Sequence, residues 1–304
     1  MVAVVSLAYD RAVMAIRWSI VDLAVILAIG LLVLAIVPGS RRIAQDARGR
    51  AECANNLRQI GQALFYYQQD QSGFPRGTFE PDAPLVAFSG SPPGAIPAAN
   101  DTSVPFWLLV KNSGLDARSL VCLQAAADGL AERRVLPPEA TAWSNFPNRL
   151  WMTYSIANPY VMDVPVMGNQ RRRDTVIAAD INPGGQDVQN VTLTSDLALL
   201  SKVNSPNHRR EGQNVLFADG TVSFEGRPFV GPDNDNIYAY ASLPPVSTTD
   251  TLMVPRWTDG PQVAPAYTRT RKAAFYSFAL AGLVGFAVLI GLNLRRQRLQ
   301  KSQA

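Results

Sequence analysis

His208 is the single histidine of this 304-residue chain, so any imidazole-dependent chemistry must pass through it. General-base or nucleophilic catalysis needs that imidazole within reach of a hydroxyl, thiol or water, and a further group to orient it. Two carboxylates stand in suggestive places: Asp180 follows a strand-like run, and Asp219 precedes Gly220 in a turn-forming pair. No Gly-x-Ser-x-Gly elbow, His-Glu-x-x-His helix or phosphate-cradling glycine loop occurs. A histidine without a convergent constellation predicts a structural, hydrogen-bonding role, and Asp219 is first a turn former. The chain therefore reads as a non-enzyme with no catalytic residue and no cofactor.

Metal chemistry is the next possibility. The two cysteines, Cys53 and Cys122, lie far apart in sequence and lack metal-ligand spacing. In an oxidising compartment they can pair; in a reducing one they are thiols. Asp233 and Asp235, with Asn234 and Asn236 between and after them, supply hard oxygen atoms. A calcium site needs about six to eight oxygens, including placed carbonyls, and adjacent side chains in a loop read better as a polar turn. No metal is expected; His208, Asp233 and Asp235 are the weak candidates.

Charge excludes a further class. The formal net charge is +4, a surplus matched by Arg295, Arg296, Arg298 and Lys301 at the C-terminal end. Nucleic-acid binding by counterion release needs cations gathered on one folded face, and the run Arg171, Arg172, Arg173 reads as a solvated loop.

The elements that must position these residues follow from periodicity. Ile43, Ala47, Ala51, Ala54, Leu57, Ile60, Leu64 and Phe65 recur at helical steps, predicting an amphipathic stem that ends near residues 71–73. Residues 75–104 are rich in Pro, Gly, Ser and Ala and predict a long loop; 106–115 predict a short helix, and Leu120, Val121 and Cys122 a buried strand or turn. Strands are predicted over 152–156, 175–179, 213–218 and 221–225, the last two joined at Asp219 and Gly220 by a type I′ turn.

Before the stem, residues 23–37 are uncharged, and Ile20 and Val21 lengthen the apolar run towards the ~20 residues of a membrane span. Asp22 is the one acid there, and Pro38 predicts a kink or break. A cleaved signal peptide is the competing account, but Pro38 interrupts its small-residue site. A second uncharged run covers 273–294 and ends in the basic tail. The expected layout is a cytoplasmic leader 1–17, a transmembrane helix 18–38, an extracytoplasmic α+β domain 39–245, a linker 246–271, a second transmembrane helix 272–294 and a cytoplasmic basic tail 295–304.

Taken in order, these landmarks resemble the bacterial prepilin-like domain-of-unknown-function 1559 family. Trp18, Ser19, Ile20, Val21 and Asp22 are similar to the family's start, with Asp22 in place of the pilin glutamate. Cys53, Ala54, Asn55, Asn56, Leu57, Arg58, Gln59, Ile60 and Gly61 resemble its Cys-x-Asn-Asn-Leu run, and Val121 with Cys122 its Val-Cys-Pro-Ser element, although Leu123 and Gln124 depart from it. Asn207 and His208 lead through Gly212, Gln213 and Asn214 to Asp219 and Gly220, similar to the family's His-x9-Asp-Gly motif with one extra residue. Arg17 stands where prepilin peptidase substrates have glycine, which argues against processing. The resemblance implies a pilin-like α+β fold: a long N-terminal helix on an antiparallel sheet, here with an added C-terminal transmembrane helix. It also implies a membrane-anchored, non-catalytic subunit of the cell envelope related to type II secretion pseudopilins. Its expected setting is a bacterial membrane with both termini cytoplasmic, and its expected partners are the membrane, pilin-like subunits or secretion machinery, not nucleic acid. The alternative is a tethered extracytoplasmic ligand-binding or sensor domain that no longer assembles.

Overall fold

The computed structural model describes residues 19–90, 93–161, 173–239 and 251–258, with the backbone alone for residues 21 and 33–42. The chain divides into two compact units, Met1–Arg48 and Gly49–Ala304. One helix, α1 (Ile20–Gln71), belongs to both.

Within the first unit α1 opens on a capping arrangement. The Ser19 carbonyl accepts the first helical bond from Leu23 N at 3.1 Å, and the Asp22 carboxylate accepts from Ser19 N at 2.8 Å. A Ser-x-x-acid pair satisfies donors that a helix start leaves unpaired. The helix runs unbroken past Pro38, where the sequence predicts a kink or break. Leu23, Val25, Ile26, Ile29, Leu31 and Leu32 are all exposed and fall on every side of it, Leu32 at 60%. Among the described residues no helix is long and apolar enough to cross a membrane. Leader residues 1–17, the expected second span 272–294 and the basic tail lie outside the described residues.

In the second unit the rest of α1 buries Cys53, Asn56, Leu57, Ile60, Ala63 and Leu64. Steps of three and four keep these on one face. Burial of Leu57, Ile60 and Leu64 stabilises the contact by about 1.5 to 3 kcal/mol each. The expected face is corrected: Ile43, Ala47, Ala51 and Phe65 are exposed, and the polar Asn56 lies inside. The helix ends at Gln71, followed by Ser72 in the left-handed region.

The loop after it leads to α2 (Val104–Ser113), opened by Pro105 and closed by left-handed Gly114. A 3-10 turn at Ala117–Leu120 precedes α3 (Leu123–Ala127), so Cys122 caps a short helix rather than sitting in a strand. Then come β1 (Tyr154–Ala157), β2 (Val176–Asp180), α4 (Asp187–Asn190), α5 (Leu197–Val203), β3 (Gln213–Phe217), β4 (Val222–Glu225) and β5 (Met253–Val254). They form an antiparallel sheet of order β4-β3-β2-β1-β5. The α+β class with a long helix and an antiparallel sheet is therefore present.

The sheet separates two cores. Ile156, Ala178 and Leu216 join the α1 residues on one face, while Val176, Ala179 and Val215 join Val188, Val203 and Ile237 on the other. A bulge between Val176 and Ala178 shifts the alternation of β2 by one place. Period-two geometry makes such a shift decide which face every later side chain takes. Here it puts Asp180 on the α1 side, opposite Tyr154 of β1.

The β3–β4 connection also corrects an expectation. A type I′ turn needs positive φ at both central residues. Only Gly220 has it, at 86°, while Gly220 N bonds Phe217 O and Phe217 N bonds Thr221 O, each at 2.9 Å. The loop thus has three residues, Ala218, Asp219 and Gly220, with the glycine in the bulge position. At the other end of β3, a Cβ on Gly212 would stand 2.4 Å from the Glu225 carbonyl, so only glycine fits.

Candidate functional site

Asp180 ends β2 with no exposed surface, and its charge is met from three directions. Oδ2 accepts from Asn214 N at 2.6 Å and Asn214 Nδ2 at 3.2 Å; Oδ1 accepts from Asn207 Nδ2 at 2.8 Å. A buried carboxylate is tolerable only with such partners. Asn207 is tied in turn to the residue before β1, donating to Thr153 O at 2.8 Å.

His208 enters this cluster from a 3-10 turn, Asn207–Arg210, and is 4% exposed. His208, Arg209 and Arg210 have φ of 50°, 56° and 64°. Left-handed backbone costs about 1 to 2 kcal/mol per residue without glycine, so three in succession require surroundings that over-determine them. Asn204 Nδ2 donates to Arg210 O at 3.2 Å and Gly226 O at 3.0 Å, and the Arg210 guanidinium reaches back to the carbonyls of Lys202 and Asn204. Burial lowers the Arg210 pKa from its usual value.

The imidazole Nε2 faces three groups: Asn214 Nδ2 at 3.0 Å, Asp180 Oδ2 at 3.2 Å and Cys122 Sγ at 3.7 Å. In one tautomer it accepts from Asn214; in the other it donates to Asp180. Phe224 of β4 meets the ring edge-on at 5.7 Å, with Arg50 over Phe224 and paired to Glu211. These residues close the solvent side.

Cys122 is disulfide-bonded to Cys53, with Cα atoms 5.1 Å apart. The bridge ties α1 to the start of α3. Beside it Asn56 Nδ2 donates to Val121 O at 3.2 Å and to Tyr154 Oη at 3.1 Å, and Cys122 N donates to Thr153 Oγ1 at 2.7 Å. Burial, then the nearby Asp180 charge, raises the Tyr154 pKa well above the usual phenol value. Tyr238 donates to Asp180 O at 2.8 Å and is raised by the same two causes.

The cysteines without sequence spacing thus meet the lone histidine: Cys53 Sγ, Cys122 Sγ and His208 Nε2 all lie within 4.8 Å of one another. Asn56 joins this cluster. Asn55, one residue earlier, is exposed. Asp219 and Gly220 stand apart at the exposed hairpin loop, where Asp219 Oδ1 accepts from Thr221 N at 2.9 Å and Thr221 Oγ1 at 2.7 Å, which lowers its pKa. His208 and Asp219 therefore do separate work despite sharing a motif. Asp22 lies in the other unit. Asp235 Oδ2 accepts from Thr251 N at 2.7 Å and Asp233 is exposed with φ 58°, an arrangement of loop-forming bonds.

Sequence reasoning did not assemble Asp180, Asn207, Asn214 and Tyr154 around His208. Asn207 and Asn214 flank the histidine in one short block, which was the available signal. Chemically the cluster can do two things: exchange its disulfide for thiols, and hold a cation with sulfur and nitrogen. The cluster is buried, with Asp180 at 0% and His208 at 4% exposure.

A long helix stapled to an antiparallel sheet through a buried Cys-Cys-His cluster defines the class of domain. A family model described as "Protein of unknown function (DUF1559)" matches residues 44–110, so this segment is similar to that family. The matched segment holds the docked part of α1 and the loop into α2. No curated protein and no solved structure matches the chain.

Proposed function

We propose that this protein is a membrane-anchored, non-catalytic structural or assembly subunit of the cell envelope, related to pilin-like proteins. The observation that carries this reading is the first part of α1: its exposed Leu, Ile and Val side chains occupy every face, with Ile29 at 56% and Leu32 at 60% exposure. A helix apolar all round needs a surrounding apolar phase, lipid or other subunits. The second half of the same helix is docked on the sheet and bridged at Cys53, which suits an anchor that hands force or position to a head domain. The burial of His208, at 4% exposure, supports the non-catalytic reading.

The Asp22 contact favours a permanent anchor over a filament subunit. In pilin-like assembly such an acid neutralises a neighbour's processed terminal amine; here its carboxylate accepts from Ser19 N within its own helix. Arg17 in place of glycine agrees with that. Alkaline carbonate extraction and intact-mass measurement of protein from native membranes test the proposal. Retention in the pellet with residues 1–17 present is expected. Release into the supernatant refutes the anchor, and a chain beginning at a methylated Trp18 refutes the unprocessed form.

A further inference from the structure

We propose that Cys53, Cys122 and His208 form, once the bridge between the cysteines is opened, a buried binding site for a thiophilic divalent cation of the zinc class. This goes beyond the anchoring role and does not rest on it. The argument starts from edge lengths. Zinc bonds of about 2.3 Å to sulfur and about 2.0 to 2.1 Å to nitrogen, held tetrahedrally, separate sulfur from nitrogen by about 3.6 Å and the two sulfurs by about 3.8 Å. Cys122 Sγ already stands 3.7 Å from His208 Nε2, and all three ligand atoms lie within 4.8 Å of one another. The two sulfurs must separate, which loss of their covalent bond permits, and Cys53 Sγ, within 4.8 Å of the other two ligand atoms, must settle at the sulfur–nitrogen edge length.

The surroundings supply what a cation needs. Asp180 Oδ2 is 3.2 Å from the same Nε2, against about 3.4 Å for an oxygen–nitrogen edge of the same tetrahedron, so it is the nearest oxygen for the fourth position. Asn207 and Asn214 already fix that carboxylate. Asn207 Oδ1 is buried with no hydrogen-bond donor, so the cluster is rich in acceptors. Two thiolates and a carboxylate in a closed core are untenable alone, and a dication offsets most of that charge. The left-handed backbone at His208 points the same way, because such strain persists where a side chain must be aimed.

The chemistry balances in two steps. A dithiol reductant delivers two electrons and two protons to the S–S bond, leaving two thiols and becoming a disulfide itself. The cation then displaces one proton from each thiol, so two protons leave for each ion bound. Bridge and ion are mutually exclusive, and a bound ion protects both sulfurs from reoxidation.

The test uses full-length protein in detergent, reduced with dithiothreitol, freed of reductant under argon and titrated with Co(II) as a spectroscopic stand-in for Zn(II). Reduced protein should develop sulfur-to-cobalt charge-transfer bands and the visible bands of tetrahedral cobalt, saturating near one ion per chain and vanishing on zinc addition. Oxidised protein should show none. Cys53→Ser should abolish the charge-transfer intensity of a two-sulfur site. His208→Gln, which keeps a hydrogen-bonding group beside Asp180, should weaken zinc binding about 100-fold, and Asp180→Asn about 10- to 100-fold. Tryptophan fluorescence of each variant in its oxidised form confirms folding. The inference fails if reduced, folded protein gives no tetrahedral cobalt spectrum, if reduction unfolds the domain, or if His208→Gln binds as wild type does.

Discussion

Removing the Cys53–Cys122 bridge is the sharpest test of how the long helix is held. The cysteines are 69 residues apart, so the bridge closes a large loop in the unfolded chain. In the chain-entropy account this corresponds to about 4.4 kcal/mol at 25 °C. A Cys53→Ala/Cys122→Ala variant keeps the rest of the contact. Leu57, Ile60 and Leu64 remain buried, a contribution of about 5 to 9 kcal/mol together. Asn56 keeps its bonds to Val121 O and Tyr154 Oη. The domain should therefore fold with α1 docked but be less stable by roughly 4 kcal/mol. Urea titration of detergent-solubilised, metal-free protein reads this through Trp107, Trp143 and Trp151, a contacting cluster with ring centres 5.6 and 6.2 Å apart. With m about 2 kcal/mol/M, the midpoint should fall by about 2 M. Reduced wild type should match the variant, since both lose the same loop constraint. A midpoint change equivalent to less than about 1 kcal/mol would refute the staple. Destabilisation of the variant alone, with reduced wild type unchanged, would place the effect in packing rather than in the loop.

Alkaline pH should destabilise the domain in a defined window. Burial raises the phenol pKa values of Tyr154, Tyr160 and Tyr238, so the folded state keeps protons that the unfolded chain releases above about pH 10. Stability is then level up to about pH 9 and falls above pH 10 by about 1.4 kcal/mol per pH unit for each tyrosine, which urea midpoints between pH 8 and 11.5 measure; a flat profile contradicts the burial argument. Asn56→Ala, which leaves the buried Val121 O without its donor and removes the bond to Tyr154 Oη, should cost about 1 to 3 kcal/mol, whereas Asn55→Ala at an exposed position should stay within about 0.5 kcal/mol. Equal effects in thermal melts would show that the two neighbouring asparagines are not distinguished as described.

Much of the framework was legible because it rests on local rules. Helical periodicity identified the stem with Leu57, Ile60 and Leu64, and turn chemistry placed the loop after it near Ser72. Alternation and Gly220 located the β3–β4 hairpin. The exact turn escaped: beside it Ala218 N pairs with Thr175 O, the residue before β2, a contact between distant segments. The helical face was also displaced at its ends. Phe65 looks buried by composition, but the sheet meets the neighbouring stripe through Cys53 and Asn56.

By itself the sequence determined the apolar start of α1, the stem and strands β1 to β4, because each depends on residues within a few positions of one another. It also carried the family match over residues 44–110. Tertiary structure alone decided that Cys53, Cys122, His208 and Asp180 share one buried cluster. They come from α1, the start of α3, a strained turn and the end of β2, and a single bulge in β2 selects the face on which Asp180 appears. Contacts between such distant segments depend on sheet register and helix docking, which no local pattern of residues encodes.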